Sequence, residues 1–311
     1  MNLLKIGDLI LRYPTALAPM ASLTDIVFRR TVDEIGGIGF MVTELISAEG
    51  LRRKQKRTLE MIKTFDFNTP QFIQLFGTEA DAFIESIKYI ENETNYSGID
   101  INMGCPARKV TRKGAGSALL TDPIKVGTLC RSIKKEITIP LTVKIRIGYE
   151  TENLIEILTV LEDSGIDAVT IHFRLRTENY SGPAHWEYAE GLKERFNLIF
   201  IGNGDISSRN DAMDKLDIVD GVMIGRAAIK DPFIFSEIAG DGPGISDKQQ
   251  VALRIIELIE EYYPEQLKLV RIKAFTKYLT SGRPHSRKIK HEIYRSDSFE
   301  SVKSLFKIIF N

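Results

Sequence analysis

Cys105 heads a loop that carries four cations, Arg108, Lys109, Arg112 and Lys113, and closes in Gly114-Ala115-Gly116. Before it, Ile99-Asp100-Ile101-Asn102 has the apolar character of a buried strand that stops abruptly at Gly104. The thiol therefore sits where the chain leaves a strand, and loops at strand ends are where site residues gather. One reading makes Cys105 a buried small hydrophobe, as most free cysteines are. The other makes it a functional group, set at a strand end beside four cations.

The elements that would position this loop recur along the first three-quarters of the chain. Short apolar runs at 16–20, 40–43, 72–75, 99–102, 141–145, 168–172, 198–202 and 221–224 read as strands. Amphipathic segments at 25–35, 79–92, 123–135, 153–164, 186–196 and 207–216 read as the helices between them, with Asp122 capping before Pro123 and Ser207 in a cap position. Strands separated by single helices pair in parallel, and eight of them predict a (β/α)₈ barrel of the α/β class. A doubly wound open sheet is the competitor, but Ala18-Pro19-Met20 ends the first strand where that fold would carry G-x-G-x-x-G.

Barrel chemistry belongs at the carboxyl ends of the strands. Those ends carry Pro19 and Met20, Gln74, Asn102 with the Cys105 loop, Lys144 and Arg146, His172 and Arg174, Asn203, and Gly225 with Arg226. Gly202-Asn203-Gly204 and Gly225-Arg226 follow the last two strands, where this fold commonly binds phosphate. Glycines admit backbone N–H groups to phosphate oxygens and Arg226 offers a forked donor; ordinary tight turns are the plainer account of the glycines. A thiol and a lysine supply no redox power, so redox chemistry here needs a cofactor. Lys144 and His172 are suited to the electron-rich edge of a flavin, Gln74 and Asn102 to its pyrimidine part, and Met20 to its face. Taken singly, Lys144 also fits a Schiff-base lysine and His172 a satisfied core histidine.

Together these segments resemble the tRNA-dihydrouridine synthases. The resemblance rests on Ala18-Pro19-Met20, Gln74, Asn102-Met103-Gly104-Cys105-Pro106 and Val143-Lys144-Ile145-Arg146. It continues through His172-Phe173-Arg174-Leu175-Arg176 with Tyr180, Gly182 and Trp186, then Gly202-Asn203-Gly204-Asp205-Ile206 and Met223-Ile224-Gly225-Arg226-Ala227-Ala228. It runs in consistent order over residues ~10 to ~235. Phe173 and Leu175 replace the small residue and threonine usual in that family, and His185 replaces an aspartate common before Trp186. The resemblance implies FMN held by Pro19, Met20, Gln74, Lys144, His172, Asn203, Gly204, Asp205, Gly225 and Arg226. It implies tRNA contacts from Asn102, Arg108, Lys109, Arg174 and Arg176. It further implies that NADPH reduces FMN, that hydride passes from the reduced flavin to uracil C6, and that Cys105 protonates C5 as the catalytic acid. The target base would have to be flipped out of the folded RNA to reach such a site.

After residue 235 the pattern changes. Gly240-Asp241-Gly242-Pro243-Gly244 reads as a linker, 246–261 as an amphipathic helix, and two or three further helical segments follow. The expected division is a catalytic barrel over 1–238 and a small all-helical domain over 245–311, which in the family grips tRNA. Here the resemblance is looser, resting on Val270-Arg271, Lys273, Tyr278 and Arg287-Lys288. Phe299, Val302, Leu305, Phe306 and Ile309 form a helical core stripe in the tail.

Composition sets the outer limits. Lysine plus arginine equals aspartate plus glutamate at 42 each, so no global field draws nucleic acid. Charge is local instead: Arg52, Arg53, Lys54, Lys56 and Arg57 cluster without an acid, and nine cations face one acid between Lys268 and Arg295. Such patches suit a phosphate backbone, although any single one is more simply a solvated helix face. No apolar run approaches the ~20 residues of a membrane helix, and Lys5, Asp8 and Arg12 interrupt the apolar start. Two cysteines and four histidines offer neither a disulfide framework nor metal-site spacing. The expectation is a cytoplasmic, metal-free monomer. Two rivals stay open: a flavin barrel acting on a free pyrimidine, like the dihydroorotate dehydrogenases, and a non-catalytic RNA-binding barrel. The first has no use for a basic helical appendage, so loss of residues 240–311 would spare it, whereas a tRNA enzyme would lose modification and keep its flavin.

Overall fold

The structure, a computed structural model, describes residues 3–245, 247–280 and 285–310, and of 277–279 and 307–310 it describes the backbone alone. The side chains of Tyr278 and Ile309 and the predicted helix start at Ser246 lie outside the described residues. Two short strands, β1 (Leu4–Ile6) and β2 (Leu9–Leu11), form an antiparallel hairpin. Then come β3 (Thr15–Leu17), β4 (Phe40–Val42), β5 (Ile46–Ser47), β6 (Gln71–Phe76), β7 (Gly98–Met103), β8 (Leu141–Gly148), β9 (Ala168–Leu175), β10 (Phe200–Asn203) and β11 (Gly221–Ile224). These pair in parallel in chain order. The pairing of β11 with β3, through Val222 and Thr15, closes the barrel. β4 and β5 share the second strand position, since both pair with β6. The eight predicted strand positions are all occupied, so the chain is a (β/α)₈ barrel with helices after it.

Period-two alternation decides what enters the barrel. On β7, Ile99 and Ile101 join the apolar layer under the helices, while Asp100 and Asn102 share the opposite face. The register then sets Gln74 beside Asp100, Asn102 beside Lys144, Arg146 beside His172, and His172 beside Asn203. The polar residues thus come together because each lies two residues from the next along its own strand.

The hairpin was not among the predicted elements. Its Leu4, Ile6 and Leu11 are buried with Ala16, Phe40, Phe72 and Ala168, a second apolar cluster toward the amino ends of the strands. The helix expected over 186–196 is instead a 3₁₀ turn (Trp186–Ala189) and one short turn (Leu192–Arg195), divided by Gly191 at φ 74°. The helix expected over 207–216 runs Arg209–Leu216, with its cap one residue later than predicted. Ser208, not Ser207, caps it by accepting from Asp211 N, while Ser207 binds the Asp211 carboxylate.

Beyond Gly240, helices Lys248–Tyr262, Glu265–Leu279, Ser286–Arg295 and Phe299–Phe310 pack together and against the first barrel helix, Ile26–Ile35. Phe28 stacks on Phe275 with ring centroids 6.3 Å apart. Arg254 holds Glu34 with two hydrogen bonds of 2.8 and 2.9 Å. Ile255, Ile259, Phe275, Val302 and Phe306 belong to the same continuous apolar core as the barrel.

Candidate active site

A cavity of about 1170 Å³ opens at the carboxyl ends of the barrel strands. Pro19, Met20, Gln74, Asn102, Cys105, Lys144, His172, Asn203, Gly204, Asp205, Gly225 and Arg226 all line it. Four predicted site residues lie elsewhere. Arg108 and Lys109 are exposed on the turn Arg108–Thr111. Arg174 is buried beneath the cavity wall, and Arg176 is half-buried with its guanidinium over the Tyr149 ring.

Cys105 is half-buried and its loop is fastened from two sides. Its N–H donates to Asn102 Oδ1 at 3.0 Å, and Gly104 N–H reaches the same oxygen at 3.3 Å. Its carbonyl accepts from Ser117 N and Oγ at 3.2 and 2.9 Å. Gly116, at φ +62°, allows that approach: a Cβ there would stand 2.9 Å from the Cys105 carbonyl oxygen. Arg112 and Lys113, like Arg108 and Lys109, are exposed. Lys144 and Arg146 lie close enough to Cys105 to couple to it electrostatically. Arg146 is committed to three carbonyls, Gly104 at 3.0 Å, Leu175 at 2.7 Å and Asn179 at 3.0 Å, so it ties the Cys105 loop to the loop after β9.

Beneath Cys105 runs a chain of amides. Asn102 Nδ2 donates to Gln74 Oε1 at 2.8 Å, and Gln74 Nε2 donates to the buried carboxylate of Asp100 at 2.7 Å. Burial raises the Asp100 pKa, against hydrogen bonds from Gln74 and Thr142 and the charge of Lys144.

Lys144 Nζ faces the cavity from deep in the barrel and donates to Asn203 Oδ1 at 3.2 Å. Burial, and then Arg146, pull its pKa down to about 8. His172 lies close by, and burial followed by Lys144, Arg146, Arg174 and Arg226 pushes its pKa far below the usual value, leaving the ring neutral. Arg174 Nη1 lies 3.1 Å from His172 Nε2. A guanidinium only donates, so Nε2 is the acceptor and the ring proton sits on Nδ1.

At the far end of the cavity, Asp205 bridges Arg174 and Arg226 and accepts from Ala184 N at 2.9 Å. Gly204, at φ +135°, has Ala184 where a Cβ would be (2.7 Å) and gives its carbonyl to Trp186 Nε1 at 3.0 Å. Tyr180, quoted above only as part of a motif, lines the cavity with the guanidinium groups of Arg146 and Arg226 each 5.5 Å from its ring centre. The unusual residues of this segment serve the loop's own packing. Phe173 packs on Trp186 at 4.7 Å between ring centroids, and His185 pairs with Glu178 and Glu187.

The cavity joins cationic and amide donors at the floor, Lys144, Gln74 and Asn102, to Arg226 and the turns at Gly204 and Gly225 at the other end. The basic cluster at 52–57 is used mostly within the barrel: Arg52 and Arg53 pair with Glu49 and Glu85, and Lys54 lies over the Tyr89 ring. No cluster of His, Cys, Asp or Glu fit to hold a metal ion occurs among the described residues, and no described helix is long and apolar enough to cross a membrane.

A model of the dihydrouridine synthase family matches residues 16–307. The chain is similar to a probable tRNA-dihydrouridine synthase of Rickettsia bellii, 33% identical over 297 residues, which cover 91% of this chain and 90% of the relative. It is also similar to tRNA-dihydrouridine synthase B of Pseudomonas putida, 33% identical over 276 residues, with 85% and 81% covered. Among solved structures it resembles a 2-naphthoyl-CoA reductase complex, with a TM-score of 0.60 at 12% identity, over 77% of this chain and 52% of that one. It also resembles TcOYE with pHBA, with a TM-score of 0.54 at 11% identity, over 76% and 91%. At such identities the likeness is one of fold, and the chain spans about half the length of the reductase.

Proposed function

The chain belongs to the dihydrouridine synthase family, and from that premise we propose that it reduces uridines of tRNA to 5,6-dihydrouridine. The observation that carries the reading is a single cavity that brings the Cys105 thiol, the Lys144–His172 floor and the Arg226 end together. FMN, reduced by NADPH, supplies the electrons for the C5–C6 bond when bound there. Arg226, Gly204 and Gly225 would hold its phosphate; Pro19, Met20, Gln74, Lys144, His172 and Asn203 would hold the ring, and Asp205 would fix Arg226. Lys144 offers positive charge where negative charge develops. His172 stays neutral and donates through Nδ1.

Cys105 holds the proton destined for uracil C5, and the fastened backbone on both sides keeps the sulfur at the cavity wall. Asn102 has a second amide N–H to offer the base. Arg174 acts by holding His172 and the loop after β9, while exposed Arg108 and Lys109, with Arg176, would meet RNA. The barrel over 1–238 would carry the chemistry, and the helical region over 245–311, whose Arg287 and Lys288 belong to the basic stretch, would orient the tRNA. The protein would act as a cytoplasmic monomer without metal.

The test begins with the visible spectrum of the purified protein and mass identification of any released chromophore. The expected result is FMN. A gene-deleted strain should then regain dihydrouridine in its tRNA from the wild-type gene but not from a Cys105→Ala variant that still binds FMN. A colourless protein that cannot be reconstituted with FMN would overturn the redox reading. Unchanged tRNA in the deleted strain would overturn the choice of substrate.

A further inference from the structure

Asp100 is 1% exposed, lies outside the cavity lining and has no part in the chemistry above. Its Oδ2 accepts from Gln74 Nε2 at 2.7 Å and its Oδ1 from Thr142 Oγ1 at 2.7 Å. With the Gln74 amide nitrogen turned to Asp100, its oxygen faces Asn102 Nδ2 at 2.8 Å. That in turn leaves Asn102 Oδ1 for the N–H groups of Cys105 and Gly104. Each amide has two orientations, and both ends of the chain select the same one. Asp100 accepts at both carboxyl oxygens, which leaves Gln74 Nε2 as the donor to it, and a backbone N–H only donates. Turning either amide over would set oxygen against oxygen or N–H against N–H in a buried place, and such mismatches are costly.

We propose that Asp100 is a positioning residue: it sets the direction of the Gln74–Asn102 amide relay and so seats the backbone that presents the Cys105 thiol. Without it, Gln74 is free to turn over, Asn102 follows, and the N–H groups at Gly104 and Cys105 lose their acceptor. The catalytic meaning rests on the proposed role of Cys105, but the relay itself is open to measurement without turnover.

Two substitutions in the full-length protein separate positioning from mere packing. Asp100→Asn keeps an acceptor for Gln74, because the Thr142 hydroxyl has a second acceptor in Ile99 O at 3.3 Å and can receive the new amide's N–H. Asp100→Leu keeps the bulk and removes the acceptor; Asp100→Ser, too short to reach Gln74, replaces it if the leucine variant does not fold. Amide hydrogen exchange over residues 102–107 and the rate of Cys105 alkylation by iodoacetamide are then followed, with fully buried Cys130 as the unreactive internal control. The acceptor-free variant should exchange and alkylate about tenfold faster than wild type and lose about tenfold to hundredfold in kcat, with KM nearly unchanged. The asparagine variant should stay within about threefold of wild type on every readout. Wild-type exchange and alkylation in the acceptor-free variant would overturn the proposal, as would an asparagine variant as impaired as the leucine one. A wild-type protein that makes no dihydrouridine would instead overturn the functional reading and leave the exchange and alkylation results to stand.

Discussion

Replacing Lys144 with methionine should make the cofactor-free protein more stable while damaging its site. The ammonium sits deep in the barrel, with its pKa pulled from 10.5 to about 8 mainly by burial. A difference of about 2.5 units corresponds to about 3 kcal/mol at 1.36 kcal/mol per unit. Because Nζ borders the cavity and keeps its bond to Asn203, solvent and that partner reduce the figure to about 1–2 kcal/mol. The sign follows from proton uptake. Below about pH 8 the lysine is charged in both folded and unfolded chains, so the folded protein bears the whole cost. Between about 8 and 10.5 the folded chain releases its proton first, so wild-type stability rises with pH relative to the variant. Lys144→Met, of similar bulk and uncharged, should therefore unfold at higher urea near pH 7, by about 1–2 kcal/mol, and lose most of that advantage by about pH 10. The single tryptophan, Trp186, reports unfolding from within the loop that packs on Phe173. A variant no more stable than wild type near neutrality, or one whose advantage does not shrink with pH, would refute the argument. The same change should weaken FMN binding, the usual opposition between stability and a charged site.

Two further outcomes follow from the ion pairs. Arg226→Ala should weaken FMN binding by about tenfold to hundredfold, because a charge-assisted phosphate contact is lost; flavin fluorescence titration reads it, and riboflavin, lacking the phosphate, should bind both proteins alike. Arg254→Ala should cost about 1 kcal/mol near neutrality in urea unfolding, since Arg254 grips Glu34 with two bonds across the join between barrel and helices. Arg254 holds the Glu34 carboxyl below its usual range, so that contribution is present above the ordinary glutamate pKa. It should fade as acid protonates Glu34, making the two proteins equally stable at low pH.

The barrel was legible because its information is local. Each strand announces itself by a short apolar run, and the polar residues that matter are spaced two apart at the strand ends, as in Lys144 with Arg146 and His172 with Arg174. Cys105, Gln74 and Arg226 could be gathered into one site from order along the chain alone. What escaped was pairing. Arg174 is tied to substrate by the resemblance alone, and nothing in the sequence marks the partners the structure shows for its guanidinium, His172 and Asp205. Asp100 passes unremarked within an apolar run, and only the register with Gln74 and Thr142 shows what it holds. The β1–β2 hairpin was missed because three-residue strands carry too little pattern; its Gly7-Asp8 turn and the apolar Leu4 and Ile6 were the available signal.

The least legible feature was how the helical region meets the barrel, because its partners lie more than two hundred residues apart. Tyr263 donates to Asp25 at 2.8 Å, and Arg271 stands 3.5 Å from the same carboxylate. Asp25 caps the helix that follows the Met20–Thr24 turn, and that turn is itself closed by bonds from Leu23 and Thr24 to Met20 O. The helical region thus braces the segment that brings Met20 to the cavity. Removing residues 240–311 would strip Tyr263 and Arg271 from a buried carboxylate and uncover Phe28 where it stacks on Phe275. Loss of modification after such a truncation would then report a disturbed Met20 turn as readily as lost tRNA contact. Substitution of exposed cations is the sharper separation of the two. Arg287 and Lys288 can be changed to glutamine with the Asp25 contacts intact, so a defect in tRNA binding with unaltered flavin affinity would belong to the RNA surface alone.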